Sequence, residues 1–301
     1  MNLPKAFALL LYITLPFVLY SQEVQKDVLL KDIRFLSSPQ LEGRKPFTQG
    51  NLQAREYIKH RFDSLGLSSQ FREYTQFFNI PEQGPEKPGG QGANVVGFIP
   101  GQESSKIIVI TAHFDHLGIV DGKIFHGADD NASGTAGLLA LAAYFSRNPP
   151  RHSLMFAALD AEEMGLQGAR ALLRDFPFPL EQILMNVNLD MISRSEKNEL
   201  YAVGTRHYPH LKPTLERVAR KAKIDLAFGH DEPGTGADDW TNASDHGPFH
   251  AEGIPFIYFG VEDHPDYHRP TDMYENIDPD FYFQAVNLIL WSVIAFDGQD
   301  L

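Results

Sequence analysis

Two histidines and a set of carboxylates stand at positions where a metal ion could use them. AHFDH carries His113 and Asp115, GADDNASG carries Asp129 and Asp130, DAEEMG carries Glu162 and Glu163, NLDM carries Asp190, and DYHRPTD carries His268 and Asp272. Each segment alone has a plain structural explanation. His-x-Asp suits a surface pair, Asp129 and Asp130 suit a helix N-cap and its dipole partner, and Glu162 and Glu163 suit the first turn of a helix. Asp190 alone would be a turn residue and His268 an ordinary imidazole. Together they are different, because four or five carboxylates converging on one place repel one another unless cations neutralise them. Two His and three carboxylates, one of them bridging, give each of two metals one imidazole and two carboxylate positions. Three protein ligands plus water is the open arrangement of a catalytic zinc, and two such metals about 3.5 to 4 Å apart can hold a bridging hydroxide and polarise a carbonyl. Of the adjacent Glu162 and Glu163, one would bind metal while the other faces the water, accepts its proton and passes it to a leaving amine.

The elements that must position these residues are legible from hydrophobic periodicity. Apolar runs at Val95 to Ile99, Lys106 to Thr111, Ser153 to Leu159, Ile183 to Leu189, Leu200 to Val203 and Ile254 to Phe259 read as strands. Between them, Gly134 to Phe145 and Pro209 to Lys223 read as helices. Asn51 to Leu65 reads as an amphipathic helix stopped by Gly66, and a last helix opens with Asp278 as N-cap and Pro279 at its first position. Alternating strands and helices predict an α/β fold with a mostly parallel central sheet. In such sheets functional groups collect just past the carboxyl ends of strands, and the five candidate segments follow strand ends. Pro81 to Gly92, with seven Pro or Gly in twelve residues, is expected to be a surface loop within one domain.

Composition narrows the function classes. The 301 residues are 43% hydrophobic and 22% charged, as in a soluble globular chain, and the net charge of −13 argues against a nucleic-acid partner. There is no Cys, which removes disulfides, thiolate nucleophiles and Cys-ligated zinc, while 12 His remain as metal-ligand candidates. Lys5 followed by the apolar run Ala6 to Tyr20 is expected to be a secretory signal at residues 1 to 21, cleaved near Ser21 and Gln22. That leaves 22 to 301 as one exported domain, periplasmic or secreted, without stable membrane insertion.

The ordered motifs LEGR (41 to 44), NVVGFIPG (94 to 101), AHFDHLG (112 to 118), GADDNASG (127 to 134), DAEEMG (160 to 165), NLDM (188 to 191), SDHGPF (244 to 249) and YHRPTD (267 to 272) resemble those of the zinc aminopeptidase family. That family includes bacterial leucyl aminopeptidase and aminopeptidase Y and, more distantly, glutamate carboxypeptidase and glutaminyl cyclase. The resemblance implies a three-layer α/β/α sandwich without a protease-associated insert and two co-catalytic zinc ions. His113 and Asp190 would bind one zinc, Glu163 and His268 the other, and Asp129 would bridge them. Glu162 would be the general base and acid. Asp115, Asp130, Asp245 and Asp272 would support the ligands, with Asp115 orienting His113. The resemblance also implies a cis peptide between Asp129 and Asp130. Met191, Phe249 and Tyr267 are expected to line a pocket for the first side chain of a substrate.

The leading expectation is therefore an exported aminopeptidase acting on peptides with a free N-terminus through a metal-bridging hydroxide. A glutaminyl-peptide cyclotransferase with one zinc is the alternative on the same scaffold. A non-catalytic binding protein is a third, disfavoured because every expected ligand position and Glu162 are present.

Overall fold

A computed structural model describes residues 22–82, 84 and 89–299; the expected secretory signal lies outside the described residues. The chain enters through α1 (Lys26–Leu36) and α2 (Gln49–Ser64), then forms β1 (Thr75–Ile80), β2 (Gly90–Ile99) and β3 (Glu103–His113). A short hairpin, β4 (Gly118–Val120) and β5 (Lys123–Phe125), leads to α3 (Gly134–Phe145), β6 (His152–Leu159), α4 (Gln167–Arg174), β7 (Ile183–Leu189) and β8 (Glu199–Val203). The remainder is α5 (Lys212–Ala219), β9 (Asp225–Ala227), α6 (His246–Ala251), β10 (Phe256–Gly260) and α7 (Pro279–Asp297).

Eight strands form one mixed sheet in the order β1-β2-β6-β3-β7-β10-β8-β9. The four central strands β6, β3, β7 and β10 are mutually parallel, so their carboxyl ends share one rim, while β2 and β8 flank them antiparallel. β3 is apolar at successive residues because both of its faces are covered. Ile108, Ile110 and Ala112 pack with α1, α2, α3 and α7, and Ile107 and Val109 pack on the other face with Leu172 of α4 and Phe249 of α6. The architecture is thus α/β with helices on both faces of the sheet. α7 is long and apolar enough to cross a membrane by length and composition, and most of that apolar stretch is buried, with Val286, Leu290 and Val293 in the main core. Asp278 caps it, accepting from the amides of Asp280 and Phe281.

Several expected boundaries differ by a few residues, and two of the differences have a plain cause. The helix expected from Pro209 to Lys223 is a single 3₁₀ turn, Pro209–Leu211, followed by α5, because Pro213 is tolerated only in the first turn of a helix. The Pro/Gly-rich stretch is shorter than expected at its end, since Gly90, Gln91 and Gly92 pair with Ile80, Asn79 and Phe78.

Candidate functional site

The parallel strand ends and the loops after them bring the candidate residues together. His113 is the last residue of β3, and Glu162 and Glu163 lie in the turn between β6 and α4. Asp190 follows β7, and His268 lies in the stretch between β10 and α7. Buried carboxylates hold these turns. Asp115 accepts from the amides of Glu162 (3.0 Å) and Glu163 (3.3 Å), while its own carbonyl lies 3.2 Å from His113 Nδ1. Asp272 accepts from the amides of Asp129 (2.9 Å) and Asp130 (3.0 Å). Beneath the rim, Asn188 on β7 accepts from the Thr111 hydroxyl of β3 at 2.6 Å and donates to the Ser244 hydroxyl at 2.9 Å.

At the centre is Asp130. Its Oδ1 lies 3.4 Å from His113 Nε2, and its Oδ2 lies 3.0 Å from His268 Nε2 and 3.6 Å from His116 Nδ1. His113 Nε2 is also 3.3 Å from Asp190 Oδ1, and Glu163 Oε1 is 2.9 Å from His116 Nδ1 and 3.5 Å from His268 Nε2. Two groups of donor atoms lie close enough to share an ion: His113 with Glu162 and Asp190, and His116 with Asp130 and Glu163.

This corrects the expected bridge by one residue. Asp129 Oδ1 accepts from the Ser193 amide and hydroxyl, both at 2.7 Å, and its Oδ2 lies 3.0 Å from His264 Nε2. Its carboxylate is thus consumed in anchoring the loops after β7 and β10. Two neighbouring residues in an irregular turn point in different directions, and here the second of the pair faces the imidazoles. The cis peptide likewise joins Asp130 to Asn131, not Asp129 to Asp130.

The charges are strongly interdependent. Burial alone would raise the pKa of Asp130, but His116, His113 and His268 hold it well below the usual carboxylate range. Burial works against a charge on His268, yet its contacts with Asp130 and Glu163 push it up to about 10. Glu162 is raised well above the carboxylate range, first by burial and then by Asp245, Asp190 and Glu163, against the pull of His113. Asp245 is pushed up to about 8 by burial, with Asp115 and Asp190 adding to it, and neither of its buried oxygens has a protein partner. A pair of cations would relieve this crowding.

A hollow of about 100 Å³ opens onto these groups, walled by Met191, Trp240, Ala243, Tyr258, Val261 and Tyr267. Met191 and Tyr267 therefore stand where the sequence places them. Phe249 does not: it is fully buried on the opposite side of its helix, among Val109, Leu172 and Ile254. Its place in the wall is taken by Trp240 and Tyr258. His246 stacks on Tyr258 (4.7 Å, 15°), and its Nε2 donates to the Trp240 carbonyl at 2.9 Å. Burial lowers the His246 pKa to about 3, so it is a neutral prop. Larger hollows beside Tyr144 and Trp291 are lined by none of the candidate residues.

The sequence profile of peptidase family M28 matches residues 94–293, from the middle of β2 into α7. The chain belongs to peptidase family M28. It is 31% identical over 199 residues to aminopeptidase YwaD of Bacillus subtilis, an alignment covering 62% of this chain and 40% of that one. It is 26% identical over 167 residues to the alkaline phosphatase isozyme conversion protein of Escherichia coli, covering 52% and 48%. The matched region thus spans about half or less of these relatives' length. Among solved structures, the zinc aminopeptidase BSAP from Bacillus subtilis has the same fold, with a TM-score of 0.74 at 18% identity over 91% of this chain and 96% of that one. A glutaminyl cyclase from Bacteroides thetaiotaomicron matches nearly as well, with a TM-score of 0.70 at 18% identity over 91% and 98%.

Besides Trp240 and Tyr258, three residues of this M28 chain have roles that the sequence pattern does not reveal. His116 stands in AHFDH with no spacing that marks it apart from His113. His264 lies four residues before His268 and looks like any loop histidine. Arg44, in LEGR, is fully buried. Its Nε donates to the Phe114 carbonyl at 2.7 Å, and its terminal nitrogens donate to the carbonyls of Leu36, His126 and Gly127. Burial lowers its pKa to about 10, with Asp130, Asp272, Asp115 and Glu163 opposing that fall, so it stays charged beneath the cluster.

Proposed function

We propose that this chain is an exported zinc-dependent aminopeptidase that removes residues from peptides with a free N-terminus. The observation that carries this reading is Asp130, whose two oxygens face two different imidazoles, His113 at 3.4 Å and His268 at 3.0 Å. The printed names of aminopeptidase YwaD and zinc aminopeptidase BSAP support the same class. Export is supported by Lys5 and the apolar run that follows it.

The donor set fits zinc: imidazole nitrogens and carboxylate oxygens, with unshared buried charge that only cations would balance. His113 and Asp190 would hold one ion, Glu163 and His268 the second, and Asp130 would bridge both. Zinc at these positions supplies Lewis acidity toward the scissile carbonyl and lowers the pKa of water.

The rest of the chemistry belongs to side chains. Glu162, half-buried beside His113 and Asp190 at the hollow, accepts the proton of the attacking water and delivers it to the departing amine; its raised pKa suits a group that must both take and return a proton. Tyr258 and Tyr267 stay protonated, since burial raises both hydroxyls further from ionisation, and each offers a donor to the substrate. Met191, Trp240 and Val261 exclude water around the first side chain.

The test is the zinc-loaded protein with a mixture of free-N-terminus peptides, one beginning with Gln, followed by mass. Stepwise loss of first residues, stopped by a chelator, is expected. Loss of ammonia from the Gln peptide alone would replace this reading with the cyclotransferase. Glu162→Gln is expected to keep its zinc and lose at least about a hundredfold in kcat, the usual worth of a general base; full turnover in that variant would remove Glu162 from the mechanism.

A further inference from the structure

His230 does not line the catalytic hollow, yet it touches a wall residue of that hollow and two wall residues of the space next to it. Its ring stacks on the indole of Trp240 at 3.7 Å and 4°, and meets the ring of Tyr201 at 4.6 Å and 67°. Nδ1 lies 2.9 Å from Asp238 Oδ1, and Nε2 lies 3.4 Å from Glu262 Oε1. The Trp240 amide donates to the His230 carbonyl at 2.7 Å. One imidazole thus joins β8, the stretch between β9 and α6, and the stretch after β10.

The backbone is a second sign. His230 has φ 55°, a left-handed conformation that glycine adopts freely and most other residues rarely do. Asp231 beside it is buried and accepts from the amides of Gly204 (3.1 Å) and Arg206 (2.9 Å), which pins the turn. A ring held at such a position points to a task for the ring.

What the ring touches is a boundary. The catalytic hollow of about 100 Å³ has Trp240 in its wall, and a neighbouring hollow of about 310 Å³ has Tyr201 and Glu262 in its wall. Val261 and Asp263 line both. Trp240 and Tyr201 also meet directly, ring to ring at 5.6 Å. A space of about 100 Å³ is the share of about three water molecules at about 30 Å³ each. It takes the few carbons of an Ala, Val or Leu side chain and not the ring of Phe.

We propose that His230 is a positioning residue that holds Trp240 as a partition between the two hollows, and that this partition confines the first side chain of the substrate to the smaller one. The inference rests on the aminopeptidase reading above and names its substrate class: peptides that begin with a small or medium apolar residue.

The test uses zinc-loaded full-length protein and three peptides that differ only in beginning with Ala, Leu or Phe. Wild type is expected to favour Leu over Phe by at least about tenfold in kcat/KM, the order by which an apolar pocket discriminates by size. Asparagine suits the left-handed backbone, so His230→Asn removes the ring with little strain. That variant is expected to raise kcat/KM for the Phe peptide at least about fivefold, through KM, and to leave the Ala peptide within about twofold. Trp240→Ala is expected to raise the ratio of Phe to Ala as much, and the double variant no further, because both act through one ring pair. An unchanged or falling ratio in His230→Asn, or additive effects, would overturn the proposal. If His230→Asn folds poorly, Trp240→Ala alone decides whether the partition limits size. Fluorescence gives a readout independent of turnover. The chain has two Trp, so in a Trp291→Phe background the emission is that of Trp240. His230→Asn is expected to expose that emission to quenching by acrylamide, and unchanged quenching would overturn the clamp. Wild-type protein that cleaves none of the peptides would overturn the aminopeptidase reading, while raised quenching in the variant would still support the hold of His230 on Trp240.

Discussion

Asp130 meets three imidazoles with one carboxylate, while Asp129, its neighbour, meets none of those three and instead ties Ser193 and His264 together. The two aspartates are therefore separable by substitution. Asp130→Asn is expected to bind less than two zinc per chain and to lose activity by at least about a thousandfold, because an amide cannot serve both ions. Asp129→Asn should keep both zinc ions and lose stability by about 1–3 kcal/mol, the cost of disturbing a buried hydrogen-bonded charge. Elemental analysis and urea unfolding measure the two effects. Loss of metal in Asp129→Asn with retention in Asp130→Asn would restore the bridge to Asp129. The sequence could not make this distinction, since adjacent carboxylates have the same chemistry and only the local backbone decides which one faces inward. Phe249 is a similar case: an apolar residue near a motif serves a pocket or a core equally well on paper, and the helix it sits on turns it to the core.

Among the elements, the strands carrying the site were the most legible. β7 and α3 coincide with their expected bounds, and β3 and β6 differ only at their ends, because long apolar runs covered on both faces leave little ambiguity. The edges were harder to read. β9 and both strands of the hairpin β4–β5 have three residues each, with Ile119 exposed, so periodicity has little to act on, and β1 at the other edge leaves Phe77 exposed. The LEGR motif does not reveal its mechanical role in sequence alone. Its Gly43 has φ 69°, and a Cβ there would lie 2.2 Å from the Phe125 carbonyl, so the turn lies directly against the hairpin. Arg44 then binds carbonyls from α1, from the residue after β3 and from the turn before Asp129. Replacing it by Met would leave four carbonyls short of a donor. Each such loss costs on the order of 1–3 kcal/mol, so Arg44→Met is expected to lower the urea midpoint by an amount worth at least about 3 kcal/mol, with zinc binding weakened in the same variant. A change below about 1 kcal/mol would show the guanidinium to be dispensable.

For the whole molecule, the site is a concentration of groups that fold at the expense of their preferred ionisation. Asp272 at about 6, Asp245 at about 8 and His268 at about 10 all sit above their ordinary values, so without metal the native state holds more protons than the unfolded chain. A raised pKa contributes stability that is complete below the unfolded value and is lost as pH rises through the folded one. The carboxylates cover roughly pH 4 to 8 and His268 roughly 6.5 to 10. Asp130 and Glu163, which are lowered, act in the opposite sense in acid, and His246, lowered to about 3, does so up to about pH 6.5, which trims the difference. Metal-free protein is therefore expected to melt at least about 3 °C lower at pH 8.5 than at pH 5.5, a shift worth roughly 2 kcal/mol in a domain of this size. Zinc should remove most of that difference. Equal slopes with and without chelator in scanning calorimetry would mean that the ionisations lie elsewhere.

His268 differs from the other donors in where it is rooted. His113, Glu163 and Asp190 belong to strand ends or the turns next to them, and Asp130 to the turn leading into α3. His268 comes from a stretch without strand or helix, 261–273, attached at one side by Arg194 to Asp266 and by His264 to Asp129. Tyr267, stacked on it at 4.0 Å, also forms the outer wall of the hollow. His268 and the wall residue Tyr267 thus share one segment, so whatever steadies the imidazole against Asp130 and Glu163 also steadies the outer wall of the hollow. Amides 262–272 should accordingly exchange with deuterium more slowly once zinc is added, while those of β3 and β7 stay as they were.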